Sequence, residues 1–201
     1  IDERRTDAID LIVSEMRESM VINLAHHCTD PNVGLGMHKS LDAYKMYIAD
    51  TGLFVTLAFW DKAFTENIIY NQLLSDKLSA NLGYVYENLV AQELYCHGFG
   101  GDEHELHYFN SKKQGELDFV IAQHGKVIPI EVKSGKDYER HNALTNVLTN
   151  DDYNIDFAYV LTNDNLRVEG KRIYMPIYML MFIQKSPAPA NQIFKFDLRS
   201  I

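Results

Sequence analysis

Cysteine is scarce in this chain: its 201 residues include two, Cys28 and Cys96, too few for a disulfide framework. No signal-peptide pattern opens the sequence, so a reducing cytoplasm is the expected compartment. Long apolar runs are missing as well. The longest candidate, Ile173 to Ile183, is interrupted by Pro176 and is too short to span a bilayer, so no membrane association is expected. No Gly-x-x-x-x-Gly-Lys-Ser/Thr loop occurs, which leaves no P-loop nucleotide site in the chain. A nucleophile elbow and a Ser/His/Asp signature are also missing, which argues against a small-molecule hydrolase. Basic residues are outnumbered, 19 Lys and Arg against 28 Asp and Glu, giving a net charge of −9. That balance disfavours strong stand-alone binding to nucleic acid, because affinity for phosphates rests on Lys and Arg displacing counterions.

Apolar residues are plentiful, at 46% of the chain, which is ample for a packed core. Ile9, Ile12, Val13, Met16 and Met20 recur at helical spacing and predict an amphipathic helix from Thr6 to Met20. A strand from Val21 to Cys28, a loop through Pro31, Gly34 and Gly36, and a return strand from Ala43 follow. His26, His27 and Cys28 read as ordinary strand residues, since neighbours on a strand face opposite sides and zinc sites need spaced ligand pairs. Gly52 is expected to end the strand and its turn, and Phe54 to Trp60 to be core or a packing surface. Helices are expected over Asn67 to Ser79, Asn81 to Cys96 and Tyr138 to Leu148, with strands at Glu105 to Asn110 and Phe157 to Thr162. The segment from Arg172 predicts a last short strand and then a helix near Pro176. Strand, helix, strand at this spacing implies a parallel pair. The fold class is therefore α/β, a mixed central sheet flanked by helices.

The chemistry concentrates between Gly115 and Lys136, GELDFVIAQHGKVIPIEVKSGK. Two apolar runs flank His124-Gly125, the pattern of a hairpin with a two-residue turn. Gln123 then pairs with Lys126, and stepping outward sets Asp118 opposite Glu131. Opposed like charges destabilise a sheet unless something offsets them, and a divalent cation is the simplest such partner. Strand residues i and i+2 share a face, so Lys133 projects beside Glu131. The competing reading is a surface ion-pair cluster in which Lys133 bridges Asp118 and Glu131.

An acid on one strand and Glu131-Val132-Lys133 on the next resemble the active-site hairpin of the PD-(D/E)xK nuclease superfamily. The wording around it looks like the nuclease-like domain that follows an AAA-type ATPase module and a winged helix in a family of prokaryotic ATPases. KMYIADTGLF from Lys45 and LGYVYENLVAQEL from Leu82 are similar to two further stretches of that family. The resemblance implies Mg²⁺ or Mn²⁺ held by Glu87, Asp118 and Glu131, with the Val132 carbonyl as a further ligand, and Lys133 acting on the attacking water. It implies phosphodiester hydrolysis of nucleic acid, DNA for preference; a binding or regulatory module with little hydrolysis is the alternative. It also implies an ATPase module upstream in the same polypeptide, where any ATP would bind; the start at Ile1 rather than Met fits a fragment. The expected division is a partial winged helix and connector over 1–60, the nuclease-like domain over 61–185 and a tail over 186–201.

Overall fold

In the computed structural model, residues 3–32, 34–58, 60, 71, 82–100, 105–134 and 140–185 are described. The elements are α1 (Glu3–Glu18), β1 (Ile22–Cys28), β2 (Lys39–Ile48), α2 (Thr51–Ala58), α3 (Leu82–Leu94), β3 (Leu106–Ser111), β4 (Gly115–Gln123), β5 (Lys126–Val132), α4 (Asn142–Leu148), β6 (Ala158–Thr162), β7 (Arg167–Glu169) and β8 (Arg172–Pro176). All eight strands form one sheet in the order β2-β1-β3-β4-β5-β6-β8-β7. The sheet is mixed: β1 with β3, β5 with β6 and β6 with β8 are parallel, and the remaining neighbours are antiparallel.

Two apolar layers sandwich the sheet. On one face Phe119, Ile121, Ile128, Ile130 and Tyr47 pack against Val90, Ala91 and Leu94 of α3. On the other, Leu117, Val120, Val127 and Val160 pack against Leu144, Val147 and Leu148 of α4. Strand alternation sends successive residues to the two layers, so the central strands β4 and β5 contribute apolar residues to both.

Several expectations need correction. β1 and β2, read as part of a winged helix, belong to the central sheet, because Ala25 to Cys28 pair with Leu106 to Phe109. The hydrogen-bonded ladder thus runs from the first 60 residues into the core. Gly52 lies in the first turn of α2 and does not end a turn: the Asp50 side chain accepts from Leu53 N (2.6 Å) and caps that helix. α2 buries none of its residues, and Trp60 beyond it is exposed, so of the two readings, core or packing surface, the described residues of the Phe54 to Trp60 stretch are not core. The final helix is a 3-10 helix, Ile177–Phe182. β7 was not foreseen; it is three residues long and its one apolar side chain, Val168, is exposed. The helix expected over Asn67 to Ser79, the residues Asp102, Glu103 and His104, the start of the Tyr138 helix and the tail from Ser186 lie outside the described residues, apart from Asn71.

Candidate functional site at the open end of the hairpin

β4 and β5 pair from Gln123 with Lys126 to Phe119 with Ile130, the expected register, and the ladder ends one step before Asp118 and Glu131. His124 (φ 53) and Gly125 (φ 70) form the turn, both in the left-handed region that a type I′ turn requires. On the other side of β4, His107 pairs with Val120 and Phe109 with Leu117, so three steps on β4 match two on β3. That mismatch is a β-bulge at Asp118-Phe119, and it explains why Leu117 and Phe119, two residues apart, face opposite layers. Freed from the regular ladder, the Asp118 carboxylate takes the place of a backbone acceptor: Val132 N donates to its Oδ2 at 2.7 Å. The N–H and C=O of a strand residue point to the same edge, so the Val132 carbonyl faces Asp118 too.

Glu131 is 5% exposed, and its Oε1 lies 2.8 Å from Lys133 Nζ. Its Oε2 is buried and has no hydrogen-bond partner among the described residues. Burial, and then the charge of Asp118, push the Glu131 carboxyl up to about 7, against the pull of Lys133. Asp118 is also raised, by burial, although Val132 N–H, Lys45 and Lys133 favour its charged form. Leaving a buried polar group unpaired costs about 1–3 kcal/mol, and more for a charge. A cation between the two carboxylates would remove that cost, so the donors suit a hard divalent ion.

Glu87 arrives from α3 on the other face. Ile130 belongs to the α3 layer, so Glu131 and Lys133 lie on the α4 side by alternation, whereas Glu87 stands with Lys45 and Tyr47 on the α3 side. Lys45 Nζ is 2.5 Å from Glu116 Oε1 and 3.8 Å from Glu87 Oε2, and 5.1 Å from the centroid of the Tyr108 ring. Tyr47 Oη donates weakly to Glu87 at 3.5 Å. Burial and Asp118 raise Glu87, with Lys45 opposing. For Lys45, burial disfavours the charge but is outweighed by the hydrogen bond it donates to Glu116 and the charges of Asp118 and Glu87, so its pKa is raised. Asp118 at the bulge therefore joins two half-sites, Glu131 with Lys133 and Glu87 with Lys45. Among the described residues no three acids, histidines or cysteines gather closely enough to hold an ion as they stand.

Lys45, Tyr47 and Glu116 had no role in the sequence reading, nor did Asn88. Asn88 is 2% exposed; its side chain accepts from Ile48 N (2.8 Å) and donates to Ile48 O (2.9 Å). It thereby fastens the end of β2 to α3, one residue from Glu87. A polar residue amid GYVYENLV gives no hint of burial, but its buried side on α3 would follow from the helical spacing of Asn88, Ala91 and Gln92. His26, His27 and Cys28 go to separate partners, Glu105, the Asn110 carbonyl and the Asp30 carbonyl, as ordinary strand residues do.

Residues 82–180 match the family model described as Domain of unknown function (DUF4143). The match spans α3 to β8 and takes in Glu87, Asp118, Glu131 and Lys133; Lys45, on β2, lies before it. No curated protein and no solved structure shows significant similarity to the chain.

Proposed function

We propose that the open end of the β4–β5 hairpin is a divalent-cation site for phosphodiester hydrolysis, within a nuclease-like module of an ATPase. The observation that carries this reading is the buried Oε2 of Glu131 beside Asp118, without a hydrogen-bond partner among the described residues, with Lys133 on the other oxygen. Asp118 and Glu131 would hold Mg²⁺ or Mn²⁺ with the Val132 carbonyl, and Glu87 would complete the set. The bound ion would activate water and neutralise charge on the scissile phosphate. Lys133 donates toward the same space and stabilises charge that develops on the phosphate or on the attacking water. The exposed Lys112-Lys113 turn projects from the end of the hairpin that carries Asp118 and supplies positive charge for a nucleic-acid backbone in an otherwise acidic chain.

A second reading, a binding module with little hydrolysis, draws on the same geometry: two lysines already offset the carboxylates, and the net charge is −9. Lys133→Ala separates the two. The protein is incubated with plasmid, single-stranded DNA and RNA, in Mn²⁺ or EDTA. A nuclease gives metal-dependent cleavage that falls about a hundredfold or more in Lys133→Ala while Mn²⁺ affinity is kept. Absence of cleavage by the wild type, with a drop in melting temperature of metal-free Lys133→Ala, would decide for the module.

A further inference from the structure

We infer that Lys45 is an internal counter-ion that competes with a divalent cation for Glu87. Its ammonium holds Glu87 and Glu116 on the α3 side of the sheet, and Glu87 joins Asp118 and Glu131 around an ion only when that hold is released. The inference rests on the divalent-cation reading given above and adds the control of its third ligand.

Four observations converge on it. Lys45 Nζ touches Glu116 at 2.5 Å and Glu87 at 3.8 Å, and both it and Glu87 are largely buried, at 23% and 21% exposed. Its charge is felt by Asp118 and Glu131, so the whole acidic cluster shares it. The Tyr108 ring beneath it supplies a cation–π contact that fixes the ammonium in place. No three potential ligands converge among the described residues, while Glu87, the one that would complete the set, is turned toward Lys45. A divalent ion near Asp118 would repel the ammonium and attract Glu87, so ion binding and the Lys45 contact weaken each other at that carboxylate.

Lys45 is thus a positioning residue, set on β2 and brought to the site by the β1–β3 pairing. A purely structural ion pair would change melting temperature on mutation and leave ion affinity alone. Calorimetric titration of Mn²⁺ into the metal-free full chain distinguishes these roles. Lys45→Met is expected to bind Mn²⁺ roughly tenfold more tightly than wild type, the size of coupling that contacting charges give. Glu87→Gln should weaken Mn²⁺ binding in the wild-type background and abolish the gain made by Lys45→Met. Should Lys45→Met not fold, Glu116→Gln keeps the lysine and tests the same link. It deprives Lys45 of its nearest partner and strengthens its hold on Glu87, so Mn²⁺ binding should weaken severalfold, an effect that disappears when Glu87→Gln is added. Tightening or weakening that persists without Glu87 is a general charge effect and overturns the inference. So does unchanged affinity in both variants while Glu131→Gln still abolishes binding, which leaves the cation site standing. A wild type that binds no Mn²⁺ overturns both.

Discussion

Glu131 shows how one buried carboxylate ties stability to pH. In the unfolded chain it titrates near the ordinary value of about 4.3, and in the fold burial and Asp118 push it up to about 7. Between those values the native state binds more protons than the unfolded state. The stabilisation from this group is therefore complete below the unfolded pKa and is lost as pH rises through about 7. Glu131→Gln cannot ionise and removes that dependence. Thermal melts without metal should show the wild type losing stability relative to Glu131→Gln as pH rises from about 4 to about 8, and Mn²⁺ should restore the wild type at the upper end. Parallel pH profiles for the two proteins would refute the role given to Glu131. Its closeness to Asp118 was legible in the sequence because a two-residue turn fixes register. Lys45 was not legible as a partner: its distance from Glu116 along the chain is bridged only by sheet order, which no local pattern encodes.

At the scale of elements, the hairpin was the most readable part of the chain and its bulge the least. The apolar runs on either side of His124-Gly125 dictate the turn and the first five pairs, whereas the extra residue at Asp118-Phe119 depends on how β3 meets β4. The helices that flank the sheet followed from 3.6-residue periodicity, and α2 escaped it because an apolar helix with no buried residue carries no face to read. Gly115 anchors the start of β4. It adopts φ 96, and a Cβ there would stand 2.9 Å from the Cβ of Ala143 on α4. Gly115→Ala thus adds left-handed strain to a clash, and is expected to cost about 1–3 kcal/mol, measured by urea denaturation. Because Gly115 lies three residues before Asp118 on the same strand, Mn²⁺ affinity should fall with it. A variant as stable as wild type would show that α4 yields freely at this point.

For the whole molecule, sheet order decides what can fold alone. The family match begins at Leu82, yet β1 lies between β2 and β3 in a single sheet. Ala25 and Tyr47 are buried in the same layer as Phe119 and α3, and Tyr47 stacks on Phe119 with ring centroids 5.5 Å apart. Asn88 satisfies the backbone of Ile48 across the same boundary. Removing residues 1–81 would turn β3 into an edge strand, strip apolar cover from Leu106 and Phe119, and leave buried Asn88 without its partners. Residues 82–185 alone are therefore expected to unfold without a cooperative transition and to associate through the bared β3 edge, while the full chain melts cooperatively. Calorimetry and sedimentation on the two proteins make the comparison. A truncated chain that is monomeric, with a sharp melt near that of the full chain, would show that the matched region is a self-sufficient domain. It would also release Glu87 from Lys45, so under the counter-ion inference its Mn²⁺ affinity should then exceed that of the full chain.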